Sequence, residues 1–432
     1  MLASGPAVLS ALLALQGATE LEAGARIEAR AGEVPEAAGP TGTAGQAQVM
    51  LAATPILGLR WSGDESEARA SSATRIFWRP VPLLESRPLF LETLDTSFLA
   101  RPNRRSRFQL DLRGSYGEED YTLLSQQFVG QPTLPSVKTL TLLTLNAAGD
   151  GSWRESRRTT LTLLLAAIHR RTPDHQVVNI AGATGTTPGL SLPALPTQTL
   201  ITATPGVRYA LDRRSSLEAL LGLGETDIQG FQLGSSSARM NVVTIQPQLG
   251  LVRDLSRSQQ VRAVAGLTYA AVLINPDKQR NWLPLTPLCR VELGSLLWRT
   301  RASALRSSLG AGTAWYADPV LGAAVLHGMT EARLEAQLGL RWSAAARAAF
   351  TTDLNAPLPA SVTGGVSPDE TVVLVEVPVR YRWSTQLDLE FGARYVERAP
   401  NLAAADFGWH NRELWAFVTL LTTTSRPSRP RS

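Results

Sequence analysis

Residues Thr371 to Arg398 read TVVLVEVPVRYRWSTQLDLEFGARYVER, and the fold is decided by how this stretch alternates. On its first arm Val373, Val375, Val377, Val379, Tyr381 and Trp383 hold one parity, while Leu374, Glu376, Pro378, Arg380 and Arg382 hold the other. On its second arm Leu387, Leu389, Phe391, Ala393 and Tyr395 alternate with Asp388, Glu390, Gly392 and Arg394. A period of two is the signature of a strand with unlike faces. A loop of Ser384, Thr385 and Gln386 sets Trp383 across from Leu387. The same register sets Arg382 opposite Asp388, Arg380 opposite Glu390 and Glu376 opposite Arg394, so opposite charges meet on one face.

One face of this hairpin is apolar and the other is charged but nearly balanced. Two architectures accommodate that. In stacked soluble sheets the apolar face meets a second layer, whereas in a membrane-spanning barrel it meets lipid and the charged face meets a wet lumen.

The rest of the chain repeats the plan. Val207 and Tyr209 face Ala219 and Leu217 if Asp212, Arg213 and Arg214 turn, which sets Arg208 opposite Glu218. A turn at Trp298, Arg299 and Thr300 likewise sets Glu292 opposite Arg306. Gln46 to Trp61 and Arg333 to Trp342 also alternate, and both contain LGLRWS, at Leu57 to Ser62 and at Leu338 to Ser343. Thr19 to Ala31 reads as a further strand, against a helical alternative that its Glu, Ala and Arg content keeps open. Arg158 to Ile168 and Arg412 to Thr424 are apolar or threonine-rich on both parities, so their facing is not readable.

Connections alternate in length. Short turns are expected near Ser62, Asn103, Asp150, Arg213, Leu255, Arg299, Ala345 and Thr385. Longer loops are expected at Gly117 to Pro135, Arg171 to Pro196, Glu225 to Arg239, Tyr316 to Met329, Leu354 to Asp369 and Ala399 to Asn411. This predicts an all-β, single transmembrane antiparallel up-and-down barrel of about 18 strands (16–18), with short periplasmic turns and longer extracellular loops.

Composition excludes other classes. Charged residues are 18% of the chain, the net charge of +5 rests almost wholly on arginine, and no helix-length apolar run occurs. The arginine excess is not read as a nucleic-acid surface. Cys289 is the only cysteine, so neither an intramolecular disulfide nor a cysteine-based zinc cluster is available. His169, His175, His327 and His410 match no ligand spacing, and no metal or cofactor is expected. Residues 1–18 resemble a signal peptide with a truncated basic region, residues 19–424 are assigned to the barrel, and 425–432 form an Arg/Pro-rich tail.

No nucleophile elbow, HExxH or phosphate loop occurs, and no catalytic residue is assigned. Asp388 and Glu390 lie two apart on one strand face as an acid–base pair could, but their expected arginine partners keep both ionised.

The alternating arms, the turn-side aromatics Trp61, Trp298, Trp342, Tyr381 and Trp383, and the leader-like start together resemble the Gram-negative outer-membrane β-barrel porins over nearly the whole chain. Size and strand count are also similar to barrels that export exopolysaccharide. The resemblance implies an integral outer-membrane location, contact with outer-membrane lipid and with the barrel-assembly machinery, and those aromatics at the membrane interface. It also implies a C-terminal strand ending in an aromatic; here Leu414 to Thr424 is followed by SRPSRPRS, a departure.

The expected pore lining is Arg60, Arg113, Arg208, Glu218, Arg262, Glu292, Arg306, Arg333, Glu335, Arg341, Glu376, Arg380, Arg382, Asp388, Glu390 and Arg394. Arginines outnumber carboxylates there, which favours anions mildly. The function expected is a non-enzymatic pore for hydrophilic solutes or polymer. Its specific version is export of an anionic or neutral polysaccharide with a periplasmic export protein; the alternatives are a general diffusion porin for small solutes and a barrel-embedded lipid hydrolase using His327 or His410.

Overall fold

The computed structural model describes residues 18–35, 45–81, 88–120, 139–172, 177–180, 190–193, 197–233, 236–275, 279–282, 285–318, 323–355, 370–400 and 411–427. The expected signal peptide falls outside these residues apart from Ala18, as do His175 and His410.

The described chain is all strand and turn. In order the strands are β1 (Ala18–Pro35), β2 (Gly45–Ser62), β3 (Ser66–Val81), β4 (Leu89–Asn103), β5 (Ser106–Asp120), β6 (Thr139–Arg154) and β7 (Thr159–Arg171). A short hairpin, β8 (Val177–Ile180) and β9 (Leu190–Pro193), forms a sheet of its own. There follow β10 (Thr197–Ala210), β11 (Ser215–Leu233), β12 (Ser236–Asp254), β13 (Gln259–Asn275), β14 (Gln279–Trp282), β15 (Thr286–Arg299), β16 (Ala304–Asp318) and β17 (Ala323–Leu338). The last are β18 (Trp342–Asn355), β19 (Glu370–Arg382), β20 (Leu387–Pro400) and β21 (Asn411–Pro427).

Every pairing is antiparallel, and β1 pairs with both β2 and β21, so the sheet closes on itself. The main sheet holds 19 strands; β14 pairs only with the end of β13, which leaves an 18-stranded wall. Closure removes the open edges that an exposed sheet must otherwise protect.

Facing follows from exposure. Leu57, Leu249, Leu309, Val375, Val377 and Val418 are exposed on one parity of their strands, and together they give the wall an apolar outer surface. On the other parity ion pairs reach over whole strands. Arg69 of β3 bonds Glu22 of β1 at 2.8 Å, and Arg262 of β13 bonds Glu218 of β11 at 3.0 Å. Such reaches need the concave face. An apolar exterior around a charged interior, in a sheet that closes on itself, is a membrane-spanning wall, and the protein is an integral outer-membrane barrel.

The first hairpin has the register expected, with Arg382 opposite Asp388, Arg380 opposite Glu390 and Glu376 opposite Arg394. So does the second, with Arg208 opposite Glu218. The third does not. Glu292 pairs with Gly310, Arg306 lies opposite Leu296, and the turn is Thr300 to Ser303, closed by the Thr300 N–H donating to the Ser303 carbonyl at 2.7 Å. A register shift between Leu296 and Trp298 keeps Trp298 in the strand.

Other boundaries also move. β6 runs through Asp150 to Arg154, so its turn lies at 155–158. The turn expected near Ala345 is Gly339 to Arg341, because Gly339 alone supplies the positive φ of 68° and its N–H donates to Ser303 Oγ at 3.0 Å. Strands β11 and β12 extend through most of the loop expected at Glu225 to Arg239. Their outward side chains there are polar, with Arg239 bonding Asp227 and Asn241 bonding Glu225. β17 begins at Ala323, within the loop expected from Tyr316 to Met329. β21 runs to Pro427, three residues past the expected barrel boundary, and pairs there with Glu20 to Glu22 of β1.

Among the described residues four strands carry a proline in their middle, away from either end, and each interrupts one ladder only. Pro55 pairs with Ala25 on β1, but the β2–β3 ladder skips from Ala53 to Ile56. Pro205, Pro247 and Pro378 keep their pairing with Leu163, Leu221 and Gly392 while the opposite ladder skips two residues. Proline has no N–H to donate, so one neighbour goes unbonded while the other ladder is retained.

Candidate functional site: the inner wall

The inner wall is stratified along the barrel axis. Towards the short turns it is charged. Glu218 on β11 is 3% exposed and is gripped from both sides: its Oε1 accepts from Arg208 Nε at 2.7 Å, and its Oε2 accepts from Arg262 Nε at 3.0 Å. Between β11 and β13 stands Gly250 of β12, directly opposite Glu218; a Cβ at Gly250 would lie 3.4 Å from Glu218 Cβ and 3.2 Å from a Val264 methyl. Gly58 plays the same part under the Glu22–Arg69 pair, where a Cβ would sit 3.3 Å from Glu22 Oε2. A residue without a side chain in the middle strand is what allows a two-strand reach.

The charge chain continues sideways. Arg262 also approaches Glu292 at 4.0 Å, and Glu292 takes Arg290 at 2.5 Å. On the far side Asp388 accepts from both Arg380 and Arg382, the latter at 3.4 Å, so the closest bond runs diagonally rather than straight across the hairpin. Arg333 pairs with Glu335 at 2.7 Å, and Arg347 with Glu331 at 2.8 Å. Arg60 bonds Glu67 at 2.7 Å, and Arg113 bonds Asp95 at 3.5 Å. Arg306 lies inward, in register with Glu335. Glu376 lies between Arg347 and Arg394, and Glu390 is opposite Arg380. Arg341 is the exception: it stands in a turn, and its Nη1 donates to the Tyr381 hydroxyl at 3.3 Å.

Towards the long loops the same inward parity turns apolar. Met50, Phe77, Leu142, Met240, Val272 and Val372 are all at most 5% exposed although they point inward. This collar was not anticipated, although Leu374 and Pro378 already shared the parity of Glu376. Within it Glu28, 4% exposed, is surrounded by Arg26, Arg30 and Arg75, and the Arg75 guanidinium lies 5.3 Å from the centre of the Phe77 ring. On β7, whose facing was unreadable, Leu161, Leu163 and Leu165 share the outward side of Trp153 and Val207, while Leu164 points inward between Asp150 and Thr204.

Of the turn-side aromatics, Trp342 stacks on Tyr381 with centroids 4.6 Å apart, and Tyr381 meets the edge of Trp383 at 6.1 Å. Trp298, Trp342 and Trp383 are exposed on the outer surface, whereas Trp61, opposite Thr19 and Ala68, is buried. His327 has Ala314 and Asp353 as cross-strand neighbours, with no serine beside it, and Asp388 lies between arginines. No group of three or more metal-ligating side chains occurs among the described residues.

No protein-family model and no curated protein matches the chain. Among solved structures it is similar to Pseudomonas aeruginosa OccK2 (OpdF), crystallised with glucuronate, at 11% identity over 94% of this chain and 100% of that one, with a TM-score of 0.43. Acinetobacter baumannii OccAB4 aligns at 8% identity over 95% and 99% of the two chains, with a TM-score of 0.42. The copper transporter OprC aligns at 10% over 93% and 81%, with a TM-score of 0.45.

Proposed function

We propose that this barrel is a general diffusion pore for small hydrophilic solutes, with a mild preference for anions, and that it performs no covalent chemistry. The observation that carries the reading is the charged inner wall. Guanidinium groups outnumber carboxylates around Glu218 and Asp388, and each of these carboxylates is shared by two arginines. The excess is partly cancelled by pairing, so the bias it exerts on passing ions is small, while low-dielectric walls focus what remains.

Export of polysaccharide is not carried forward. What supports the small-solute reading is the paired charge of the inner wall, which acts on hydrated ions, whereas the buried collar of Met50, Phe77, Leu142 and Met240 presents no surface to the lumen. The lipid-hydrolase alternative finds no serine beside His327, whose cross-strand partners are Ala314 and Asp353; the serines of the flanking strands, Ser307, Ser308 and Ser343, lie opposite Leu334, Arg333 and Gln337, well along the strands from it.

The test is conductance of the purified, folded protein in planar bilayers under a KCl gradient. The reading expects open channels whose reversal potential reports chloride as the more permeant ion. Silent or cation-selective barrels contradict it.

A further inference from the structure

The turn between β4 and β5 gathers four arginines around one carboxylate. Arg101, Arg104, Arg105 and Arg107 line a cavity of about 570 Å³ at the turn-side rim together with Glu65 and Ser106. Arg101, Arg104 and Arg105 are exposed, and among the described residues their guanidinium groups have no carboxylate partner. The only bonds made by these three are through their backbones: Arg101 N–H donates to the Glu65 carbonyl at 2.7 Å, Arg105 N–H to Asn103 Oδ1 at 2.8 Å, and the Arg105 carbonyl accepts from Arg154 N–H at 2.8 Å. This holds the turn rigid while leaving the charges free.

A second observation points to a ligand. Ser106 is only 5% exposed, lines the same cavity, and its Oγ is buried without a hydrogen-bond partner. A buried hydroxyl without a partner is costly unless something outside the chain bonds it. Ser106 also shares the outward parity of Phe108 and lies opposite Trp153, and both aromatics are exposed on the lipid-facing surface. The site therefore sits where hydrocarbon gives way to headgroups.

We propose that this rim site binds the phosphate of an anionic phospholipid in the periplasmic leaflet, with the arginines on the phosphate, Ser106 donating to one of its oxygens, and Phe108 and Trp153 against the acyl chains. Guanidinium forks match phosphate oxygens in geometry as well as charge. The assignment rests on the membrane placement of the barrel with its short turns periplasmic, and not on whether the pore conducts.

Native mass spectrometry of the detergent-purified protein, titrated with phosphatidylglycerol or phosphatidylethanolamine, tests it. The wild-type barrel is expected to retain phosphatidylglycerol preferentially. The combined Arg101→Gln, Arg104→Gln and Arg105→Gln variant is expected to lose affinity on the order of 100-fold, at about fivefold for each arginine. Arg104→Gln alone and Ser106→Ala, each expected to weaken retention by several-fold, give the same readout if the triple variant assembles poorly. Equal retention of the two lipids, or retention unchanged in these variants, overturns the proposal; an acidic protein as the true partner would give the first of these results. Complete displacement of phosphatidylglycerol by millimolar inorganic phosphate would also overturn it, by assigning the site to the free anion.

Discussion

Glu218 and Arg262 belong to strands that are not neighbours, and their ion pair passes over Gly250 of the strand between them. The contact exists because the inner surface is concave and because the middle strand presents no side chain at that point. Gly250→Val is therefore expected to cost about 1–3 kcal/mol through crowding against Val264 and Glu218. The midpoint of urea unfolding in lipid vesicles, compared with wild type, checks this; an unchanged midpoint would show that the strand spacing is slack.

The same carboxylate should tune selectivity. Glu218→Gln removes one negative charge from between Arg208 and Arg262 and is expected to raise the chloride-to-potassium permeability ratio by about twofold. Arg262→Gln is expected to lower it by a similar factor. Reversal potentials in a salt gradient measure both, and the two changes must have opposite signs.

Proline at position 55 leaves the β2–β3 ladder unbonded over two residues. Pro55→Val restores an N–H on an outward, lipid-facing position that favours β-branched side chains. It is expected to stabilise the barrel by about 0.5–1.5 kcal/mol, read from the same urea titration. Destabilisation would mean that the interruption is needed for the local bend of the wall.

At the β10–β11 turn, Asp212 Oδ1 accepts from the backbone N–H groups of Arg214 at 2.6 Å and Ser215 at 2.8 Å. The Arg214 and Ser215 amides outweigh partial desolvation and hold the carboxyl below the usual aspartate range. A depressed folded-state pKa means that the stabilisation is present above the unfolded value, about 3.9, and is lost as pH falls through the folded value. Amide exchange at Arg214 and Ser215, corrected for its intrinsic pH dependence, should show protection falling only below about pH 4. Asp212→Asn should remove that dependence.

The sequence was most informative where one parity was wholly apolar and the turn was flanked by charges. Val373 to Trp383 and Val207 to Leu217 meet both conditions, and their registers were readable to the residue. Glu292 and Arg306 met only the second. In a chain this rich in arginine an opposite charge recurs by chance, and the Thr300–Ser303 turn carries no Gly or Pro to mark it. The repeated LGLRWS hid the turn at Gly339, because in its first copy the same letters lie within β2. Strands β11 and β12 looked like loop where polar side chains face outward beyond the apolar band, around Asp227 and Arg239. The apolar collar and the two-strand reach of Arg262 were illegible for one reason: both depend on closure, which brings together strands that local pairing alone does not relate.

The placement of alternate side chains in lipid and in water is tested most directly on the hairpin from which the fold was read. In a Cys289→Ala background, single Val375→Cys, Glu376→Cys, Val377→Cys and Arg380→Cys variants in vesicles are treated with a charged thiol reagent and, separately, with a lipid-soluble one. The account predicts that positions 376 and 380 react with the charged reagent while 375 and 377 react only with the lipid-soluble reagent. Equal labelling of adjacent positions, or the reverse pattern, would contradict it.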